Sequence, residues 1–274
     1  MKAVILAGGK GTRLAPYTTV FPKPLVPLGD RPILDIVIQQ LSHYGFEDIT
    51  LSLGYLAELI QAYFQNGSPN VDNAQIHFVR EKEPLGTVGS LALVPGLDTS
   101  FLVMNGDIVT TLNYASLFQF HREHGGLVTI ALNHRPVKID LGVIELDNSY
   151  QIKSFLEKPT LNYLVSMGIY VYEPEALNYI TPGDYLDFPD LIWKMLEDGK
   201  KIVGYPNDEY WLDLGSHMDY QKAQDEFEAM RDRLIPQHLS VYDQNNMLTQ
   251  RVAYNGYCIQ PTTEKALTQS KTKI

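Results

Sequence analysis

Ala3-Val4-Ile5-Leu6-Ala7-Gly8-Gly9-Lys10-Gly11-Thr12-Arg13-Leu14 is the stretch that decides the fold. It opens with an uninterrupted apolar run that is too short for a helix and is closed by glycines. That pattern predicts a central parallel strand buried on both faces. Ligands of an open α/β sheet bind beyond the carboxyl ends of such strands. Glycines there let main-chain N–H groups come close to a phosphate, and Arg13 adds a bidentate, charge-assisted contact. Two familiar phosphate loops fail on the letters. The pattern Gly-x-x-x-x-Gly-Lys-Ser/Thr is absent, and Gly-x-Gly-x-x-Gly would need a glycine where Leu14 stands. Glycines alone would suit a bare turn equally well, so the weight falls on the downstream motifs.

After a long loop to Arg31, the residues Ile33, Leu34, Ile36, Val37, Leu41 and Tyr44 recur at helical spacing until Gly45. Strands predicted at 49–53, 75–79 and 101–104 alternate with helices near 57–64 and from Thr87. This alternation predicts a Rossmann-like, mostly parallel α/β sheet flanked by helices. Beyond a helix at 114–124 the rhythm changes. Strands at 127–132, 141–146, 152–157 and 164–172 predict a mixed sheet extension. Helices at 188–198 and 217–233 close a domain spanning 1–235. Residues 236–274, poor in apolar side chains, are expected to be a tail, partly mobile or used in a subunit contact. They lack the periodicity of a hexapeptide β-helix.

The 274 residues carry a formal net charge of −10, are 45% hydrophobic and show no cluster of Lys and Arg, which excludes a general nucleic-acid binder. The single cysteine, Cys258, excludes an intrachain disulfide framework and suits the cytoplasm. No apolar run approaches the length of a membrane span, so no membrane partner is expected.

The opening stretch and Phe21-Pro22-Lys23-Pro24 together resemble the signature of sugar-1-phosphate nucleotidyltransferases. The likeness continues in order through Glu83-Pro84-Leu85-Gly86-Thr87, Asn105-Gly106-Asp107, Glu157-Lys158-Pro159 and Trp211-Leu212-Asp213-Leu214-Gly215. It implies a Mg²⁺-dependent enzyme acting on a nucleoside triphosphate and a sugar 1-phosphate, with homo-oligomers allowed. It also implies that the mixed sheet extension forms the sugar pocket. On the nucleotide side it implies Leu6, Ala7, Gly8, Gly9, Gly11, Thr12, Arg13, Glu81, Pro84, Gly86, Thr87 and Gly106. On the sugar side it implies Gly142, Glu157, Lys158, Ser166 and Gly168. Asp107 and Asp213 are the implied metal carboxylates, and Arg13, Lys23, Asp107, Lys158 and Asp213 the catalytic set. Two positions depart from many relatives: Ser166 stands where Asn is common, and Leu141 where an aromatic residue is common.

The residue types fit these roles on chemical grounds. Asp107 follows a buried strand at its carboxyl end, where a carboxylate can hold a metal in the crevice, although Asn-Gly-Asp also makes a turn. Asp213 is equally readable as a helix cap. Prolines stiffen the backbone around Lys23, and Lys158 precedes Pro159, so each can present a point charge to phosphate. Without their motifs both would be solvated surface charges. Glu157 can accept two sugar hydroxyls. Glu81 is expected against the base edge. A carboxylate only accepts, and guanine offers two adjacent donors where uracil and thymine offer one between two carbonyls. That chemistry favours GTP, and the likeness of the Glu83 to Thr87 motif to guanylyl enzymes implies a mannose-like acceptor, with uridylyl or thymidylyl transfer to another sugar 1-phosphate as the alternative. Main-chain groups of Leu85 and Gly86 are the alternative readers of the base. A glycosyltransferase is the nearest rival, but its Asp-x-Asp is missing, since Ile108 and Val109 follow Asp107. A non-catalytic sensor of the same fold would have little use for the retained catalytic set.

Overall fold

The computed structural model describes residues 1–65 and 74–235. The expectations for 236–274 and for Cys258 lie outside these residues. In chain order the strands and helices are β1 (Lys2–Ala7), β2 (Pro27–Leu28), β3 (Arg31–Pro32), α1 (Ile33–His43), β4 (Asp48–Leu53), α2 (Ala57–Gln65), β5 (Gln75–Arg80), β6 (Phe101–Asn105), β7 (Ile108–Thr110), α3 (Tyr114–His124), β8 (Val128–Lys138), β9 (Val143–Leu146), β10 (Ile152–Leu156), β11 (Thr160–Tyr172), α4 (Phe188–Glu197), β12 (Ile202–Asn207), β13 (Trp211–Asp213) and α5 (His217–Leu234).

Seven strands form one sheet in the order β12-β8-β11-β6-β1-β4-β5. β1 pairs in parallel with β4 and β6, and β4 with β5, while β11 runs antiparallel to β6 and β8. This is the mostly parallel α/β sheet that the alternation predicts. The apolar run of β1 has a direct cause. Ala3, Ile5 and Ala7 enter one core and Val4 the other, because successive side chains of a strand point to opposite faces. Helices α1, α2, α3 and α5 pack on the first face and α4 on the second. At the end of α1 the Phe46 N–H donates to the Leu41 carbonyl across Gly45, which closes the helix and turns the chain into β4.

Three features differ from the sequence expectation. The helix expected from Thr87 is a 3-10 turn, Gly89–Leu93, and the Val88 N–H at its start donates to the Leu186 carbonyl at 3.1 Å. β9 and β10 form a hairpin of their own rather than strands of the main sheet. Its register sets Ile144 opposite Phe155 and Leu146 opposite Ile152, all exposed on one face. β12 is an edge strand whose Gly204 and Pro206 hide it from pattern reading, since an edge tolerates proline.

Candidate active site

Leu6 pairs with Asn105 where β1 and β6 end side by side, and Gly106 N–H donates to the Leu6 carbonyl at 2.9 Å. Both strands therefore release their loops at one place, the carboxyl edge of the sheet. A cavity of about 490 Å³ opens there. It is lined by Leu6, Ala7, Gly8, Gly9, Gly11, Thr12, Arg13, Glu81, Pro84, Gly86, Thr87 and Gly106, together with Lys23 and Asp107. Every nucleotide-side candidate is thus in one cavity, with three of the five catalytic ones. Pro24, Ser90, Asn105, Tyr185 and Asp187 complete the lining. Of these, Asp187 carried a readable signal, an aspartate just before a helix start at Phe188-Pro189.

Charge is concentrated at one end. Lys23 is 7% exposed, and its ammonium hydrogen-bonds the Asp107 carboxylate. Asp213 arrives through a short antiparallel pair, β7 with β13, that sets it opposite Ile108, while Leu214 N–H donates to the Asp107 carbonyl at 3.1 Å. Ser216 caps α5 by accepting from Asp219 N–H, so Asp213 is not the cap. Burial and the neighbouring Asp107 push the Asp213 carboxyl above its ordinary value, against the pull of Lys23 and Arg13. Arg13 lies along the same segment: a Cβ on Gly215 would stand 3.1 Å from its Nη1. Among the described residues no group of three or more His, Cys, Asp or Glu is arranged to hold a metal. Asp107 and Asp213 alone suit a hard cation that brings phosphate oxygens and waters, as Mg²⁺ does, and not a closed zinc cage.

At the other end Glu81 faces the cavity. Its Oε1 accepts from the Ser52 hydroxyl and its Oε2 from Leu85 N–H, each at 3.2 Å. Gly8 leaves room for this approach, since a Cβ there would stand 2.7 Å from Glu81 Oε1 and the carboxylate would have to shift. The carboxylate keeps acceptor capacity beyond these two bonds, whereas the Leu85 N–H is already engaged.

A second cavity, also about 490 Å³, shares Leu6, Thr87, Asn105 and Asp187 with the first. Tyr170 and Phe188, stacked with centroids 4.1 Å apart, form a wall of it, and Asp190 its rim. Ser166 and Gly168 stand behind that wall. The Ser166 hydroxyl donates to Tyr170 Oη at 3.3 Å and accepts from Gly168 N–H, and Gly168 packs on Asn105. Gly142, Glu157 and Lys158 line neither cavity. They sit on the hairpin and its exit, where the Phe155 ring covers Gly142 and the Lys158 side chain is 59% exposed, 4.0 Å from Glu157.

Comparison with known proteins bears on the family and the fold. Residues 2–230 match the family described as nucleotidyl transferase. The chain is 33% identical over 243 residues to a UTP–glucose-1-phosphate uridylyltransferase of Synechocystis, covering 81% of this chain and 62% of that protein. It is 34% identical over 230 residues to a mannose-1-phosphate guanylyltransferase of Mycobacterium tuberculosis, covering 81% and 63%. The chain therefore spans less than two thirds of the length of these relatives. HddC from Yersinia pseudotuberculosis, also solved in complex with GMP-PN, superposes with a TM-score of 0.64 at 27% identity, over 82% of this chain and 99% of that one. A UDP-glucose pyrophosphorylase of Acinetobacter baumanii shares the fold, with a TM-score of 0.66 at 20% identity, over 92% and 99%. The match runs from the first strand into the last helix and takes in every residue of the charged end of the cavity, and the chain belongs to the nucleotidyl transferase family.

Proposed function

We propose that this chain transfers a nucleotidyl group from a nucleoside triphosphate to a sugar 1-phosphate, giving an NDP-sugar and pyrophosphate. The observation that carries the reading is the single cavity in which the glycine loop, Arg13, Lys23 and Asp107 meet. An oxygen of the sugar phosphate forms a bond to the α-phosphorus while the bond from that phosphorus to the bridging oxygen breaks and pyrophosphate leaves in line. No covalent enzyme intermediate is needed, so positioning and charge neutralisation do the work. Arg13 steadies the departing pyrophosphate, Lys23 the α-phosphate and Lys158 the sugar phosphate. Asp107 and Asp213 would hold Mg²⁺, which would supply neutralisation of phosphate charge. The second cavity offers a sugar the Asp190 carboxylate, the Asn105 amide and an aromatic wall. Gly142 and Glu157 are proposed as sugar contacts on the motif match alone, since they line neither cavity.

The proposed nucleotide is GTP and the proposed acceptor mannose-like. Support comes from the Glu81 carboxylate facing the cavity, from the guanylyltransferase relatives and from the GMP-PN complex of HddC. Uridylyl transfer is the second reading, supported by the Synechocystis relative. Incubation with GTP, UTP, dTTP, CTP and ATP at equal concentration, scored by kcat/KM, is expected to favour GTP. A preference above tenfold for UTP or dTTP rejects the guanine assignment and keeps the reaction class.

Residues 1–235 are proposed to suffice for the catalytic fold. Leu234 is 1% exposed and its carbonyl accepts from Gln40 Nε2 at 2.8 Å, so the end of α5 is tied to the core. Truncation after 235 is expected to leave the circular dichroism and melting of the domain in place, and an unfolded product would move the boundary. Among the described residues no helix is long and apolar enough to cross a membrane, and a cytoplasmic site is proposed. Self-association is part of the same proposal, supported by the exposed apolar face of the β9–β10 hairpin and read by light scattering.

A further inference from the structure

Asp187 occupies the N-cap position of α4, yet its side chain accepts no hydrogen bond from that helix. The carboxylate is turned away to the opposite wall. Its Oδ1 accepts from Thr87 N–H at 3.0 Å and from the Thr87 hydroxyl at 3.2 Å, and its Oδ2 from the Tyr185 hydroxyl at 2.7 Å. Thr87 in turn accepts from Phe188 N–H at 2.7 Å, the donor that opens α4. An aspartate at an N-cap ordinarily stabilises its own helix, so its diversion to a residue a hundred positions away calls for another role.

That partner belongs to the segment Pro84, Gly86 and Thr87 along the nucleotide cavity. The segment is not a strand of the sheet. It is held by main-chain bonds from Leu186 N–H to the Leu85 carbonyl, 3.0 Å, and from Val88 N–H to the Leu186 carbonyl, 3.1 Å. Gly86 has φ +77, and a Cβ on it would stand 2.5 Å from the Leu186 carbonyl oxygen, so the two segments are in contact along their backbones. Asp187 is the side chain that locks this seam, and it also lines the cavity. The Tyr185 hydroxyl, and then Thr87, hold its carboxyl below the ordinary value against partial desolvation.

We infer that Asp187 is a positioning residue for nucleotide recognition: through Thr87 it holds the segment 84–87 in the shape that receives the base. The inference rests on the nucleotidyl-transfer reading of the cavity. Pre-organising a loop strengthens binding of the ground state and transition state alike, so its loss is read in KM and Kd for the triphosphate more than in kcat.

The test uses the full chain with GTP and UTP as probes. Binding is measured by calorimetry without sugar phosphate, and KM and kcat with it. Asp187→Ala is expected to weaken triphosphate binding by about tenfold or more, as loss of charge-assisted bonds does, while kcat falls less. Asp187→Asn keeps an oxygen for Thr87 N–H and is expected to recover part of the loss, and Thr87→Val to resemble the alanine variant. A lower melting temperature with unchanged Kd would assign Asp187 a purely structural role and overturn the inference. So would an Asn variant no better than Ala when both are folded. Should Asp187→Ala fail to fold, the Asn and Val variants decide by the same measures. If the unaltered chain binds no triphosphate, the functional reading itself fails. If it binds and turns over while the variants match it, only the role of Asp187 fails.

Discussion

Asp107→Asn is expected to lower turnover by at least two orders of magnitude while the protein stays folded. A hundredfold loss corresponds to about 2.7 kcal/mol of transition-state stabilisation, within what a metal carboxylate contributes. The substitution keeps the size and the oxygen that can accept from Lys23, so the backbone contact of Asp107 with Leu214 N–H should survive. It removes the charge that now raises the Asp213 carboxyl. Burial still holds the Asp213 carboxyl up, but with the Asp107 charge gone it is expected to fall back toward its ordinary value. Loss of the counter-charge of the buried Lys23 is expected to lower the melting temperature in the absence of divalent ions. The parent is expected to gain melting temperature with added Mg²⁺ and the variant to gain less. Near-normal turnover of the variant with Mg²⁺ would remove Asp107 from the mechanism, whatever the stability data show.

The parts legible in the sequence were those written in long or rule-bound patterns. β1 declares itself because both faces of a central strand are buried, whereas the glycine loop after it reads as a ligand loop only with the downstream motifs beside it. Helices α1, α3 and α5 carry an apolar stripe over eleven or more residues and fall close to where periodicity sets them. What stayed hidden was carried by very short elements or by distance along the chain. β7 and β13 are three residues each, too short for any period, yet their pairing is what delivers Asp213 beside Asp107. Asp187 looks like a helix cap, and only tertiary structure shows that its carboxylate is engaged by Thr87. The hairpin residues Gly142, Glu157 and Lys158 come from a motif match, and the sequence holds nothing that fixes how far a hairpin with its own two-stranded pairing stands from the sheet.

Lys23→Ala is expected to reduce kcat by on the order of a hundredfold, with a much smaller change in triphosphate KM. Lys23 is buried and already bound to Asp107, so its charge is placed before any substrate arrives. A preplaced charge in a site of low dielectric costs no reorganisation when phosphate charge shifts during bond breaking, and its benefit appears in the transition state. Removing the ammonium also removes the group that competes for Asp107, so the Mg²⁺ concentration for half-maximal activity should not rise and is expected to fall. This separates the two substitutions: Asp107→Asn raises the Mg²⁺ requirement, and Lys23→Ala does not. Arg13→Ala is expected to share the kcat loss, since Arg13 contributes a second cation beside Asp213. A Lys23 variant that changed KM alone would show that its charge binds substrate and transition state equally. One that raised the Mg²⁺ requirement would show that Lys23 acts only by holding Asp107 in place.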